Sequence, residues 1–256
     1  MSIVDRVAGR LRRAWHARLP QARLQDMLAR RRGAVFLCYH SLSAGLDAYP
    51  YRTTVAAFDH HMALLREIFE ILPAAEAVAA LRGGGLRDRP RPIAVVCFDD
   101  GYRDNWELAT PILERHGVSA SLYVARSLIR DGGDTFLSEA ELQRLAAHPL
   151  WQVGAHGLTH SVMGGLLPTD QRREMQASRD WLADLLGTAP AGFAYPMGDI
   201  SPSAVDVARS VYEYALSTDR RFANTFDPFQ VRRACPRQQD DGPAAFLRLL
   251  WHAPWE

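Results

Sequence analysis

The sequence predicts an α/β fold, a distorted barrel of mostly parallel strands with helices outside. Short apolar segments bounded by glycine or polar residues alternate along the chain with longer amphipathic segments. This alternation is typical of a parallel sheet that is covered by helices and is closed or nearly closed. Acidic residues and histidines directly follow several of the apolar segments. In such folds the catalytic groups collect at these carboxyl ends of the strands.

The individual elements follow from the same patterns. We expect buried strands at 34–39, 93–98, 119–125, 151–155 and 193–195, and weaker strands at 214–217 and 231–234. We expect helices from residue 55 to about 69, and at 74–82, 106–116, 138–147, 169–186 and 203–211. Ser138 followed by Glu141 is a capping-box pattern, and Thr169 is the expected cap of the longest helix.

The chain of 256 residues is long enough for one sizeable core. We expect one domain over residues 33–256, preceded by a basic helical segment over residues 1–32. That segment carries a net charge of +7 and the remainder carries −6. Apolar residues recur in it at roughly helical spacing, at Val4, Val7, Leu11, Trp15 and Leu19.

Two interpretations of this basic segment remain open. It contacts an anionic membrane surface peripherally, or it is a solvated helix that packs against the barrel, with Pro20 interrupting its apolar stripe. No stretch has the apolar centre of a signal peptide or the length of a membrane span. We therefore expect a cytoplasmic protein, with contact at the inner membrane face as one option and no nucleic-acid partner.

The three cysteines, Cys38, Cys97 and Cys235, are odd in number and have no CxxC spacing. This pattern predicts neither a disulfide framework nor a thiolate metal site. Cys38 and Cys97 lie in apolar runs, which favours a role as core fillers.

Two adjacent carboxylates, Asp99 and Asp100, follow the predicted strand 93–98. Burying two like charges is costly unless a cation or a shifted pKa relieves them. This suggests that one carboxylate binds a metal ion while its neighbour acts as a base. The alternative is that these residues cap a helix, a position that aspartate favours.

Two histidines four residues apart, His156 and His160, follow the predicted strand 151–155. On one helical turn they would face the same way and could share an ion. Together with Asp100 they would leave coordination positions open for water and substrate. His40 and the segment 195–197 follow two other strands, so all four pieces are expected at one rim.

The segments FDDGY (98–102), HxxxH (156–160) and FAYPMG (193–198) occur in this order, and the chain thereby resembles the polysaccharide deacetylases of the NodB-homology type, carbohydrate esterase family 4. The resemblance covers roughly residues 34–235. It implies a divalent metal ion on Asp100, His156 and His160. Imidazole and carboxylate ligands suit zinc, cobalt, nickel or iron, of which we expect zinc first. It also implies Asp99 as general base and the backbone N–H of Tyr102 as an oxyanion donor. Tyr195, Pro196 and Met197 would then contact the substrate.

The chain departs from the family pattern in three places. Many relatives have an arginine that orients the base where this chain has Ala194, and Met197 replaces a common aromatic residue. The usual acid histidine near the C-terminus is missing from the segment VRRACP (231–236). In the branch that acts on exopolysaccharides, a residue of the first strand supplies the acid. His40 fits that position, and its alternative is a structural role.

The resemblance implies removal of N-acetyl groups from amino sugars of a polysaccharide or glycolipid. One alternative is a deformylase or amidase that acts on another small or lipid-linked amide. Another is a catalytically silent, sugar-binding barrel. Arg232 and Arg233 are expected either to contact an anionic substrate or to cover the barrel.

Overall fold

Ten strands are present in the computed structural model, which describes residues 19–45, 49–86, 89–218 and 225–256. They are β1 (Ala34–Tyr39), β2 (Ser41–Ser43), β3 (Arg52–Thr54), β4 (Glu70–Ile71), β5 (Ile93–Asp99), β6 (Ala120–Val124), β7 (Trp151–Ala155), β8 (Gly192–Ala194), β9 (Tyr214–Ser217) and β10 (Val231–Ala234). The larger strands match the predicted apolar segments to within one or two residues.

Seven of these strands form a closed parallel barrel. Strands β5 to β10 follow one another in chain order, and β1 closes the ring because it pairs with both β5 and β10. Strand β4 lies beside the beginning of β5, and β2 and β3 pair separately. The predicted barrel of parallel strands is therefore confirmed.

Nine α-helices accompany the strands in the described part of the chain. They are α1 (Gln21–Ala29), α2 (Val55–Ile68), α3 (Ala74–Arg82), α4 (Thr110–His116), α5 (Arg126–Asp131), α6 (Glu139–Ala146), α7 (Pro168–Leu186), α8 (Pro202–Val211) and α9 (Pro243–His252). One apolar cluster fills the space between helices and barrel, and a second includes side chains inside the barrel such as Phe36, Val95, Tyr123 and Leu216. The packed interior leaves the end of the barrel as the place for a site.

Some predicted boundaries differ from the structure. The helix expected at 106–116 starts as a π-helical turn, Asn105–Ala109, before α4, because Pro111 has no N–H to donate within a regular helix. The long helix α7 begins at Pro168, in the favoured first position for proline, so Thr169 is not its cap. The capping box of Ser138 and Glu141 is confirmed. The elements β2, β3, β4, α5 and α9 were not predicted.

Residues 19–32 pack against the barrel domain. Leu24 and Leu28 of α1 are fully buried. The guanidinium of Arg31 lies 4.8 Å and 4.3 Å from the ring centres of Trp251 and Trp255 and donates to the Trp251 carbonyl at 2.8 Å. These contacts join the start of the described chain to its C-terminal helix.

The membrane interpretation depended on five apolar residues of the basic segment. Four of them, Val4, Val7, Leu11 and Trp15, lie outside the described residues. Within the described residues, none of the helices combines the length and the apolar character that crossing a membrane requires. The cytoplasmic location and the peripheral membrane contact stay predictions.

Candidate active site

A pocket opens at the carboxyl ends of the barrel strands. Six residues that were predicted from separate parts of the sequence line it together: His40, Asp99, Asp100, His156, His160 and Met197. Their convergence agrees with the expectation that the strand ends meet at one rim.

Asp100 and the two histidines lie close enough to share one cation. Their candidate ligand atoms are all within 4.8 Å of one another. Oδ1 of Asp100 lies 3.1 Å from Nε2 of His160 and 3.5 Å from Nε2 of His156, yet it is buried without a well-aligned hydrogen bond among the described residues. A buried carboxylate oxygen in this state is costly, and a bound cation would satisfy it.

The orientation of His156 also fits a metal ligand. Its Nδ1–H donates to the carbonyl of Ala194 at 2.7 Å, which leaves the lone pair of the neutral ring on Nε2, facing Asp100. In the metal-free protein, burial opposes protonation, but Asp99 and Asp100 outweigh it and raise the pKa of His156. A metal ion would therefore compete with a proton for this ring.

The backbone is strained where it presents these groups. Among the described residues, the non-glycine residues with positive φ are Asp100 (75°), His160 (60°) and Met197 (57°), and all three line the pocket. Gly101 follows with φ of 81°, and a β-carbon there would lie 2.8 Å from Ile129. Such strain persists only where surrounding contacts hold it, and it is concentrated at functional sites.

The HxxxH segment is not a helical turn, so this part of the prediction was wrong. Strand β7 ends at Ala155, and the following residues form a loop in which Gly157 has φ of 91°. The loop nevertheless brings the imidazole ring centres to within 4.9 Å of each other.

Glu174 of α7 holds this loop in place. Its buried carboxylate accepts hydrogen bonds from the backbone N–H groups of Leu158 and Thr159 at 2.9 Å and 2.8 Å, and from the Thr159 hydroxyl at 2.7 Å. His160 follows directly, so Glu174 positions one predicted metal ligand without touching the pocket. Glu174 was not predicted because nothing in its local sequence pattern separates it from the other charged residues of the helix.

Asp99 of β5 is held by an arginine of β10. Nη1 and Nη2 of Arg233 donate to Oδ1 and Oδ2 of Asp99, both at 2.7 Å, and the Cys38 thiol donates to Oδ2 at 3.2 Å. Burial alone would raise the pKa of Asp99, but Arg233 and then His156 outweigh it and lower the pKa to about 2. Asp99 is therefore ionised at neutral pH.

The two adjacent arginines have different roles, and the pairing of Arg233 with the base was not predicted. The side chain of Arg233 is fully buried and points into the barrel, in register with the interior residue Phe36. Arg232 points the other way and pairs with Glu256 at 2.8 Å. Arg233 thus supplies the contact to the base that the family resemblance led us to expect from an arginine at position 194.

The wall beside His40 is aromatic. The His40 ring lies 5.3 Å from the ring of Tyr51 and 6.5 Å from that of Tyr49, and both tyrosines line the pocket. Burial lowers the pKa of His40, although Asp99 and Asp100 counteract this effect. Neither tyrosine was predicted as a site residue, because both lie in an irregular segment between β2 and β3.

Met197 and the three remaining predicted residues differ in placement. Met197 is 73% exposed at the pocket rim. Tyr195 and Pro196 are buried outside the pocket lining, and the Tyr195 hydroxyl donates to the Phe229 carbonyl at 3.1 Å. A direct substrate contact by these two side chains does not fit their placement. The Tyr102 ring stacks 4.8 Å from Phe136, and the role of the Tyr102 N–H stays a prediction.

Comparison with known proteins agrees with this site. The family model described as polysaccharide deacetylase matches residues 87–214, which include both aspartates and both histidines. The chain belongs to this family. Within it, YxkH of Bacillus subtilis (strain 168), named as a candidate polysaccharide deacetylase, is 26% identical over 185 residues, which are 72% of this chain and 63% of YxkH. The matched region thus spans less than two thirds of that relative.

Solved structures show the same fold. The Streptococcus pyogenes deacetylase PplD, in complex with acetate, has a TM-score of 0.75 and 21% identity, covering 85% of this chain and 98% of PplD. IcaB from Ammonifex degensii has a TM-score of 0.72 and 21% identity, covering 86% of this chain and 98% of IcaB. At these identities the similarity supports the barrel and not a particular substrate.

Removing Arg233 should destabilise the protein and change the base. In Arg233→Met, Asp99 becomes an unpaired buried carboxylate, which costs about 3–5 kcal/mol. Its pKa rises because burial is no longer opposed, so part of the lost stability should return as the pH falls and Asp99 is protonated. Urea unfolding at several pH values measures this loss. Equal stability of Arg233→Met and Arg232→Met would contradict the assigned pairing.

Removing the Glu174 carboxylate should weaken metal binding without changing a ligand. For Glu174→Ala we expect zinc affinity to fall roughly 10- to 100-fold, as for other residues that orient ligands from outside the coordination sphere. A competition titration with a chromophoric chelator measures the affinity. Glu174→Gln retains an acceptor oxygen, so its zinc affinity should lie between those of the wild type and Glu174→Ala. Unchanged affinity in Glu174→Ala would show that the loop holds His160 without this clamp.

Proposed function

We propose that this chain is a metal-dependent N-deacetylase that removes acetyl groups from the amino sugars of a polysaccharide. The observation that supports it most directly is the arrangement of two unlike carboxylates in one pocket. Asp100 faces two imidazoles, as a metal ligand would, whereas Asp99 is held by a guanidinium, as an ionised base would be. Family membership favours the same chemistry.

Asp100, His156 and His160 would hold the metal ion, with zinc as our first choice and cobalt, nickel or iron as alternatives. When bound, a divalent ion lowers the pKa of a water molecule and polarises a carbonyl group. Three protein ligands leave positions open for both, which distinguishes a catalytic site from a structural one.

Asp99 would take the proton of the attacking water. Arg233 occupies one lone pair of each carboxylate oxygen, which fixes the orientation of the group and keeps it ionised. The Cys38 thiol donates to Oδ2 as well, which leaves a lone pair of Oδ1 to accept the proton. The same pairing makes Asp99 a weak base, so its effectiveness depends on water that is already acidified at the site.

The tetrahedral intermediate would be stabilised and resolved by two further groups. The backbone N–H of Tyr102 would donate to the oxyanion, an interaction worth about 3–4 kcal/mol when well placed. His40 would protonate the departing sugar amine. His40 loses its proton as the pH rises, which would limit the rate on the alkaline side. Because the pKa of His40 is lowered, this loss occurs at a lower pH than for an ordinary histidine.

The pocket surface favours a sugar substrate. Tyr49 and Tyr51 present aromatic rings beside His40, and exposed Met197 lies at the rim. Amphipathic rings of this kind pack against the apolar faces of sugars while their hydroxyls remain able to form hydrogen bonds. A polysaccharide is our first choice, and a glycolipid is the alternative.

Metal binding should separate the two aspartates. Asp100→Asn should lose stoichiometric zinc because an amide replaces the anionic ligand, whereas Asp99→Asn should retain it. Zinc content after dialysis, measured by elemental mass spectrometry, gives the result. Affinity should increase with pH as His156 loses its proton. Equal zinc content in both variants would contradict the division of roles.

Acetate release tests the function. Zinc-loaded protein should release acetate from N-acetylglucosamine oligomers, and Asp99→Asn should reduce the rate on the order of 10²- to 10⁴-fold while retaining the metal. A coupled acetate assay measures both, with metal-stripped protein as the control. Equal rates on simple acetamides would favour a general amidase. Zinc binding without release from any acetylated or formylated amino sugar would favour a silent sugar-binding barrel.

A further inference from the structure

Two cysteines, at the carboxyl ends of adjacent barrel strands, line the pocket. Cys38 lies in β1 and Cys235 directly follows β10, and both line the pocket. The two strands are in parallel register with Leu37 opposite Ala234, so the next pair of residues along them is Cys38 and Cys235. We propose that Cys38 and Cys235 are an oxidation site that closes to a disulfide beside the catalytic base.

The strand geometry permits this bond. Adjacent strands lie about 4.7–4.9 Å apart, within the range of roughly 4.4–6.8 Å that disulfides require between Cα atoms. Side chains of laterally paired residues point to the same face of a sheet, and here both thiols face the pocket. Closure therefore needs rotation of the side chains and no large movement of the strands.

The two thiols differ in a way that assigns their order of reaction. Cys235 is partly exposed, whereas Cys38 is buried. The neighbouring Cys38 thiol and the charge of Arg233 lower the pKa of Cys235, although burial opposes them. The Cys235 thiolate would attack hydrogen peroxide, break the O–O bond and become a sulfenic acid as hydroxide leaves.

Cys38 would complete the reaction. Its sulfur would attack the sulfenic sulfur of Cys235, forming the S–S bond and expelling the oxygen as water. In total, two thiols and one hydrogen peroxide give one disulfide and two waters, a two-electron oxidation. Cys38 is thus the resolving thiol.

The bond would disturb the base and its neighbours. As a thiol, Cys38 donates to Oδ2 of Asp99 at 3.2 Å, and a disulfide has no hydrogen to donate. The crosslink would also lie two residues from His40 on one strand and two residues from Arg233 on the other. If the proposed deacetylase function is correct, oxidation should reduce its rate reversibly, on the order of 10- to 100-fold for a displacement of about 1 Å.

Cys97 is the competing partner, and the structure disfavours it. It also lies opposite Cys38, through the pairing of β1 with β5. However, Cys97 is completely buried and does not line the pocket, whereas Cys235 is partly exposed and lines the pocket together with Cys38.

The experiment treats the reduced protein with hydrogen peroxide and locates disulfides by peptide mass mapping. We expect one Cys38–Cys235 link, loss of two of the three thiols, and full recovery with dithiothreitol. Cys97→Ala should still form the link, whereas Cys235→Ser should not. Thermal melting of the reduced variants verifies that each is folded.

A Cys38–Cys97 link, a link between two molecules, or irreversible oxidation of Cys235 without a link would overturn the proposal. Thiol mapping does not depend on the deacetylase reaction, so an inactive reduced protein would refute the proposed function and leave the disulfide result standing. A quantitative Cys38–Cys235 link with unchanged acetate release would refute only the proposed effect of the disulfide on Asp99.

Discussion

The buried pair of Arg233 and Asp99 is the interaction on which the site depends. The two groups belong to β10 and β5, which are not neighbours, because β1 lies between them and pairs with both. Arg233 therefore reaches Asp99 across the interior face of β1 and only when the barrel is closed. An isolated charge in this interior would be expensive, so closure of the barrel and formation of the site stabilise each other.

This pair also explains why two adjacent carboxylates can have different roles. Consecutive residues of a strand point to opposite faces, but β5 ends at Asp99 and Asp100 has φ of 75°. The turn directs both carboxylates into one pocket, where one meets a guanidinium and the other meets two imidazoles. Different partners keep both ionised, so a proton acceptor and a candidate metal ligand coexist at neighbouring positions.

The sequence predicted what local patterns encode. Apolar runs of strand length gave the barrel strands, and polar residues after them gave both aspartates and both histidines of the pocket. The HxxxH spacing was read as a helical turn, although Gly157 and the positive φ of His160 make it a loop. Residues that act over long sequence separations, Arg233 and Glu174 above all, carried no local signal, because their meaning depends on which strands and loops become neighbours.

Position 194 shows how far a motif can be trusted without the fold. Position 194 holds alanine where the family pattern led us to expect arginine. The Ala194 carbonyl nevertheless accepts the Nδ1–H of His156, and the small side chain lies in the barrel interior. The interior is shared by all seven strands, so a guanidinium can approach Asp99 from any strand whose side chain is long enough to reach it. Arg233 does so from β10, passing 5.8 Å from the ring centre of Tyr123. The positive charge beside Asp99 thus comes from β10 and not from position 194. The absence of arginine at position 194 is therefore no argument against a functional base at Asp99.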